Sequence, residues 1–301
     1  MNPDVLRLCE AVRDFGGRAV LVGGWVRDRL LGLESKDFDL EVYGLEPKRL
    51  RAVLEQFGHV NTVGEHFSVY KLVFYRPSPP RAGTGQQPPD DETPTNERFE
   101  IDVSLPRRES KSGRGHRGFV IEGDPSMRPE DAARRRDFTI NAIIYDPLTD
   151  DIIDPYAGRE DLNRRILRAV AADTFIEDSL RVLRAVQLAA RFELTIEPVT
   201  VELCRSIDLS DLPRERLWGE IEKLLVLAER PSIGLDAALE LGALGKLFPE
   251  IHSMAGHPLR EHGHPGEDSF DHTKRSVDEA VKLTADLSKA KRITVMLAAL
   301  C

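Results

Sequence analysis

The sequence predicts an α+β protein, with a mixed sheet in the first part of the chain and helices in the second. The first observation is a series of short apolar runs, bounded by glycine, proline or polar residues, which are typical of strands. The second is that strand signals almost vanish after about Leu162, where apolar residues recur at helical spacing. Strands are expected at residues 18–24, 38–43, 68–75 and 98–105, and helices at 5–14, 25–32 and 46–57.

Length and composition narrow the class of protein. A chain of 301 residues is long enough for two or three domains. Its 41% hydrophobic and 31% charged residues are ordinary for a globular protein, and no apolar run is long enough to cross a bilayer. Because acidic residues occur within the first fourteen positions, we expect no signal peptide. The three isolated cysteines, at positions 9, 204 and 301, favour reduced thiols and a cytoplasmic location.

The charge distribution leaves binding to nucleic acid open. A net charge of −9 is unfavourable for a general nucleic-acid coat, because phosphate binding needs a basic surface. Basic residues nevertheless cluster at residues 107–117 and 134–136. Each cluster is either a phosphate-binding patch or a solvated face.

Two segments are expected to differ from the compact parts of the chain. Residues 77–97 are rich in proline, glycine and acid, which predicts a disordered hairpin insertion. The last predicted helix, residues 290–301, stops without a capping residue or a polar tail, and we expect the chain to be cut at that point.

Two aspartates carry the first chemical signal. Asp37 and Asp39 lie two residues apart on a predicted strand, so their carboxylates are expected on one face of the sheet. Two such charges repel unless a cation lies between them, and hard oxygen ligands suit Mg²⁺. The chemistry then expected is phosphoryl or nucleotidyl transfer with paired metals about 3.5–4 Å apart. The alternative is an exposed strand with two solvated acids.

The neighbours of this pair favour the chemical interpretation. The preceding run predicts a strand, a glycine turn at Gly24 and a helix, an arrangement whose backbone N–H groups can approach a phosphate closely. Arg27, in the first turn of that helix, is expected to donate to the same phosphates. Asp102, on a later strand, is either a third acid of the metal site or a solubilising acid of an edge strand.

Five ordered motifs resemble those of the class II tRNA nucleotidyltransferases (CCA-adding enzymes) and bacterial poly(A) polymerases. They are LVGGWVRDRLLG with KDFDL, RRRDFTINAIIYD at 134–146, IIDPYAGREDL at 152–162, EDSLRVLRAVQLAARF at 177–192 and ERLWGEIEKLL at 215–225. The resemblance covers nearly the whole chain apart from the Pro-rich segment. Residues 104–119 are most similar to the bacterial CCA-adding branch.

The resemblance implies a fold and a division into domains. The fold implied is a polymerase-β-type nucleotidyltransferase head with a mixed sheet, followed by an all-helical neck and a truncated helical body. The corresponding ranges are residues 1–147 for the catalytic head, 148–250 for the neck with base recognition, and 251–301 for the start of an HD-type helical domain.

The resemblance also implies an activity, partners and site residues. The activity is template-independent addition of CMP and AMP, from CTP and ATP, to the 3′ end of tRNA. Gly24 and Arg27 would then hold the triphosphate, and Asp37 and Asp39 would bind two Mg²⁺ ions. Arg136, together with Asn141, is expected near the ribose and phosphates.

The motif at 177–192 is expected to select the base. Asp178, Arg181 and Arg184 follow one another at i, i+3 and i+6 of a predicted helix. An aspartate accepts from an exocyclic amine and an arginine donates to ring or carbonyl acceptors, so the three residues suit the Watson–Crick edges of cytosine and adenine. The alternative is a surface ion pair. Many relatives carry arginine where this chain has Gln187, so a third arginine contact is not expected.

Two further segments resemble parts of the family. The basic segment 107–117, with its neighbouring glycines, resembles the flexible loop that is linked to switching from C to A addition. Residues 262–277 resemble the opening of an HD-type phosphohydrolase domain, with His272 at the first metal-ligand position. One ligand does not make a metal site, so no phosphohydrolase activity is expected of this chain.

Three functions are compatible with these motifs. The first is CCA addition, complete or restricted to CC or A. The second is poly(A) polymerase, which shares every motif above. The third is a module that binds tRNA or nucleotide without turnover, although such a module gains little from two repelling acids. The sequence does not indicate the oligomeric state.

Overall fold

The computed structural model describes residues 1–62, 69–76, 97–111, 119–258 and 268–300. The expected α+β class is confirmed, since a mixed sheet comes first along the chain and helices dominate the rest. Of the predicted insertion, residues 77–96 lie outside the described residues. Within the described part of the chain, no helix combines the length and apolar character that a membrane span requires.

The chain divides into two compact units. Of the described residues, one unit comprises those within 1–111, 119–133 and 141–155, and we call it the sheet unit; the other comprises those within 134–140 and 156–300, and we call it the helical unit. The RRRDFTIN motif therefore contributes to both units.

The sheet unit carries the strands expected from the sequence, together with shorter ones. Its elements in chain order are α1 (Pro3–Asp14), β1 (Arg18–Val22), α2 (Gly24–Leu30), β2 (Phe38–Tyr43), α3 (Pro47–Leu54), β3 (His59–Thr62), β4 (Val69–Arg76), β5 (Glu97–Ser104), β6 (Arg107–Lys111), β7 (Phe119–Gly123), α4 (Pro129–Ala133), β8 (Ile144–Asp146) and β9 (Asp151–Ile153).

Seven of these strands form one sheet in the order β3-β4-β5-β2-β1-β8-β9. Strands β2 and β5 are parallel, and the other neighbours are antiparallel. The sheet is therefore mixed, as expected. Strands β6 and β7 form a separate antiparallel hairpin. The three-residue strands β8 and β9 are too short to show a period in the sequence, which is why they were not predicted.

The core of the sheet unit is formed by helices α1 and α3 and by one set of alternate strand residues. Phe38, Leu40 and Val42 are buried in β2 and belong to the same apolar cluster as Leu8 of α1 and Leu50 of α3. Because strand side chains alternate, the residues between them are directed to the other face of the sheet. This alternation fixes the face on which the acidic residues of β2 lie.

The helical unit follows the expected pattern, with two additional short strands. Its elements are α5 (Gly158–Asn163), β10 (Ile166–Leu167), α6 (Ala172–Phe175), α7 (Leu180–Phe192), β11 (Thr195–Ile196), α8 (Pro198–Ser206), α9 (Arg214–Leu227), α10 (Pro231–Glu240), α11 (Ala243–Leu247), α12 (Pro249–His252), α13 (Ser269–Leu283) and α14 (Lys289–Leu300). The strands β10 and β11 pair in parallel over two residues each.

Helix α7 is central to the packing of the helical unit. Most of its residues are buried, and the helix packs against both α9 and α10. Ahead of it in the chain, the rings of Phe138 and Phe175 meet edge to face, with 5.5 Å between their centroids. Both rings are fully buried, so the segment 134–140 is anchored in the core of this unit.

Candidate active site

Two aspartates of neighbouring strands face each other across the sheet. Strands β2 and β5 pair in parallel with Asp39 directly opposite Asp102. Both residues are exposed, whereas Phe38, Leu40 and Ile101 beside them in the two strands are buried. The two carboxylates therefore belong to the solvent-facing side of the sheet.

Asp37 lies just outside the strand on which it was predicted. Strand β2 begins at Phe38, so the aspartate precedes it by one residue. Asp37 is exposed like Asp39, with the buried Phe38 between them. The alternation expected for the pair is therefore present in the exposure pattern, although only Asp39 is held by the ladder of hydrogen bonds.

The donor set suits a small divalent cation that also contacts the substrate. Among the residues that the structure describes, no three His, Cys, Asp or Glu side chains assemble into a metal site. Asp39 and Asp102 nevertheless supply two hard oxygen donors at paired positions. Mg²⁺ commonly binds through one or two carboxylates, with water and substrate phosphates completing its shell. The residues present fit that mode of binding.

The glycine turn comes directly before helix α2. Gly23 has a φ of +74°, a left-handed conformation that glycine adopts without strain, and Gly24 is the first residue of the helix. Arg27 is buried, and its guanidinium is bound on two sides. Its Nε and Nη2 donate to Asp28 Oδ1 at 2.9 and 2.6 Å, and its Nη1 donates to Asn141 Oδ1 at 2.7 Å.

The contact with Asn141 brings two distant motifs together. Asn141 is itself buried, and it lies 114 positions further along the chain than Arg27. Asp28, the second partner, was not singled out in the sequence, although it follows Arg27 directly. The structure thus places two of the residues expected to contact phosphates or ribose, Arg27 and Asn141, in one hydrogen-bonded group.

In the helical unit, Arg184 is held by a buried aspartate. Arg184 Nε donates to Asp137 Oδ2 at 2.6 Å, and Asp137 Oδ1 accepts from the backbone N–H of Phe138 at 2.8 Å. The negative charge of Asp137 raises the pKa of Arg184 above its ordinary value. Asp137 was missed in the sequence, although it follows the half-buried Arg136 in the RRRDF run.

Arg181 and Asp178 are also engaged within this unit. Arg181 donates to two backbone carbonyl oxygens, from Nη1 to Thr174 at 2.8 Å and from Nη2 to Arg135 at 2.7 Å. Asp178 accepts from the backbone N–H of Leu180 at 3.1 Å and from Arg216 Nη2 at 3.0 Å. Arg216, on α9, is a partner that the sequence reasoning missed, although it lies in the ERLWG motif.

The helical stripe expected at these positions is only partly present. Helix α7 begins at Leu180, so Asp178 precedes the helix instead of belonging to its surface. Asp178 Oδ1 accepts a hydrogen bond from the backbone N–H of Leu180, two residues ahead. Local bonds of this kind make aspartate more favourable at the N-terminus of a helix than in its interior. Arg181 and Arg184 do lie on the helix, at i and i+3.

The remaining residues singled out in the sequence have simpler surroundings. Gln187 is buried in α7, and its Oε1 accepts from Arg191 Nη1 at 3.5 Å. His272 is exposed on α13. Of the basic segment, residues 112–118 lie outside the described residues, so its predicted role in switching stays a prediction.

Comparison with known proteins adds a second line of evidence. Residues 19–168 match the family model of the poly A polymerase head domain, and residues 193–254 match that of the probable RNA and SrmB-binding site of polymerase A. The multifunctional CCA protein of Stenotrophomonas maltophilia (strain R551-3) is 39% identical over 270 residues, which are 87% of this chain and 59% of that protein. The multifunctional CCA protein of Mannheimia succiniciproducens is 38% identical over 288 residues, or 93% of this chain and 61% of that protein.

A solved structure shares the fold. The Thermotoga maritima CCA-adding enzyme, complexed with tRNA_CCA, superposes with a TM-score of 0.66 at 21% identity, covering 100% of this chain and 63% of that one. This chain spans about three-fifths of the length of the curated relatives that it matches.

Fold, site and comparisons define the class of protein. The exposed acids of the mixed sheet and the glycine turn lie within the segment that matches the poly A polymerase head domain. Within that class, the identity to the two multifunctional CCA proteins extends into the helical unit. The chain therefore matches the poly A polymerase head domain over residues 19–168 and is similar to multifunctional CCA proteins along most of its length.

Proposed function

We propose that this chain adds CMP and AMP, without a template, to the 3′ end of tRNA. The single observation that carries the proposal is the pairing of Asp39 with Asp102 on the exposed face of the sheet, where β2 neighbours the strand β1 that leads into the glycine turn. The curated relatives are multifunctional CCA proteins, and solved relatives have been captured with CTP, with ATP and with tRNA. We extend those substrates to this chain as part of the proposal.

The sheet unit would supply the groups for nucleotidyl transfer. Asp37 and Asp39, with Asp102, would hold Mg²⁺, and the bound metal would supply charge to activate the attacking 3′-hydroxyl and to neutralise the leaving pyrophosphate. The backbone at Gly24 and the guanidinium of Arg27 would hold the triphosphate. Because Asp28 and Asn141 already fix that guanidinium, little reorganisation is needed when the nucleotide binds.

The helical unit would supply the groups that select the base. Arg184 donates from Nε to Asp137, and among the described residues no further hydrogen-bond partner is seen for its two terminal nitrogens. Those nitrogens are therefore available to donate to a ring or carbonyl acceptor. Arg181, Asp178 and Arg136 complete the proposed set, with Arg136 directed to ribose and phosphate.

Extension of a tRNA that lacks its terminal triplet tests the proposal. CTP alone should add two nucleotides, ATP alone none, and both together three. Replacement of Asp39 by Asn should abolish incorporation while leaving tRNA affinity nearly unchanged, because the carboxylate acts on the metal and not on the RNA. A matched control is Asp151→Asn, which removes an exposed aspartate from the edge strand β9 of the same sheet and should leave incorporation intact.

The products also separate the other functions. A long tract from ATP alone would identify a poly(A) polymerase, and addition of CC or of A alone would identify a partial enzyme. Binding of tRNA without incorporation of any nucleotide would contradict the proposal and identify a binding module.

We propose that the chain acts in the cytoplasm, where the odd and isolated cysteines stay reduced. We also propose the division into a catalytic head at residues 1–147, a base-recognition neck at 148–250 and the start of an HD-type domain at 251–301.

A further inference from the structure

A lysine lies in the same row of the sheet as the two paired aspartates. Asp102 of β5 pairs with Asp39 of β2 on one side and with Lys71 of β4 on the other. Three adjacent strands therefore place one basic and two acidic side chains in register. Neither the motifs of the sequence nor the proposed mechanism accounts for Lys71.

The lysine contacts two acids of β5 unequally. Its Nζ lies 3.2 Å from Glu100 Oε2 and 3.9 Å from Asp102 Oδ1. The side chains of Lys71, Glu100 and Asp102 are 39%, 34% and 51% exposed, so the group is wet but not fully solvated. Glu100 is the closer partner, and it holds the ammonium beside Asp102 instead of directly upon it.

We propose that Lys71 is a counter-cation for the paired carboxylates of Asp39 and Asp102 and limits the affinity of that pair for a divalent metal ion. An ammonium has no lone pair and cannot be a metal ligand, so it acts only through its charge and through Asp102. In the protein without metal, that charge offsets the repulsion between Asp39 and Asp102. When a divalent cation binds, the same charge opposes it.

The consequence is that metal occupies the site mainly when the nucleotide substrate is bound as well. The phosphates of an incoming nucleotide bring negative charge that outweighs one lysine, so metal and nucleotide would bind together more tightly than metal alone. Lys71 is therefore a positioning residue for the metal ligands, and no bond to the reacting atoms is required of it. This inference rests on the proposed metal site at Asp39 and Asp102.

A Mn²⁺ titration tests the inference. The 301-residue chain is titrated with Mn²⁺ in the absence of nucleotide, and the electron paramagnetic resonance signal of free Mn²⁺ reports how much metal is bound. Lys71→Met should tighten Mn²⁺ binding by roughly three- to tenfold, because one opposing charge is removed from a partly screened site. Lys71→Arg keeps the charge and should bind Mn²⁺ as the wild type does. The gain for Lys71→Met should shrink at high salt.

A matched control is Lys48→Met, which removes an exposed lysine from α3. Helix α3 packs on the core, to which Asp39 does not contribute, so Mn²⁺ affinity should stay unchanged. Glu100→Gln provides a second variant, since it releases Lys71 toward Asp102. It should weaken Mn²⁺ binding more in the wild-type background than in the Lys71→Met background.

The outcomes separate this inference from the proposed function. Unchanged or weaker Mn²⁺ binding in Lys71→Met would overturn the role of Lys71 and leave the metal site intact. Wild-type binding that does not depend on Asp39, tested with Asp39→Asn, would overturn the metal site itself and the inference with it.

Discussion

Arginine–aspartate pairs of the helical unit differ in how far they are buried. The carboxylate of Asp137 is buried and bonds to both Arg184 and a backbone N–H, whereas the pair of Arg134 with Asp173 is exposed. A charge buried without its partner is costly, while an exposed pair contributes little. The two pairs therefore form a matched comparison within one unit.

Asp137→Asn should lower the free energy of unfolding by about 1.5–3 kcal/mol, the usual worth of a hydrogen bond to a charged group. The physical reason is that Arg184 keeps its charge but loses the carboxylate beside it. Urea unfolding followed by circular dichroism measures the change. Asp173→Asn is the control and should leave the unfolding midpoint nearly unchanged; an equal loss in both variants would contradict the argument.

Close packing around helix α7 depends on a glycine of its neighbour α10. A Cβ atom placed on Gly234 would overlap the side chain of Leu224 and lie 3.2 Å from the Cβ of Ala190. Leu224 belongs to α9 and Ala190 to α7, and both are buried. Gly234 thus lies at a point where the helices α7, α9 and α10 approach one another closely.

Gly234→Ala should destabilise the protein by about 1–3 kcal/mol, because overpacking outweighs the better helix propensity of alanine. Gly219 of α9 has nothing within 4 Å of an added Cβ. Gly219→Ala should therefore stabilise the protein by about 0.5–1 kcal/mol. Thermal unfolding of both variants measures the two changes in stability, which should have opposite signs. A gain in stability for Gly234→Ala would contradict the argument, because it would show that the neighbouring side chains can make room for the added methyl group.

At the scale of the whole molecule, each unit has its own core and its own buried thiol. Cys9 lies in α1 of the sheet unit and Cys204 in α8 of the helical unit, and both are fully buried. Burial raises the pKa of each thiol to about 12. Both thiols are therefore protonated in the folded protein at neutral and mildly alkaline pH.

The stability of the protein should fall as the pH rises above about 8.5, the ordinary pKa of an unfolded thiol. The folded pKa lies above the unfolded one, so the stability that each thiol contributes is intact below that pH and is lost toward about 12. Each thiol should contribute a slope of about 1.4 kcal/mol per pH unit once the unfolded thiol is ionised.

Urea unfolding at several pH values between 7.5 and 10 measures this slope. Cys9→Ala and Cys204→Ala should each be less stable at neutral pH, because a buried side chain is shortened, and each should lose stability less steeply with pH. Slopes equal to that of the wild type would rule out the buried thiols as the cause.

Much of the fold was predictable because its signals are local. The alternation at Phe38, Asp39 and Leu40 follows from the two-residue period of a strand, and it predicted which side chains leave the core. The helical spacing at 178–192 likewise predicted α7, which the structure begins at Leu180. The ends of elements were less predictable, as the places of Asp37 and Asp178 show, because side-chain bonds and strand pairing decide them.

The sequence by itself determined the chemistry that this protein has at its disposal: a glycine turn, an Asp-x-Asp pair and arginines at helical spacing, each readable within a few residues. The tertiary structure alone decided which of these groups meet. Asp102 lies opposite Asp39 because β5 joins the sheet beside β2, Asn141 reaches Arg27 across 114 positions, and Asp137 reaches Arg184 across 47. Such contacts depend on strand order and chain path, and neither is encoded by a local period.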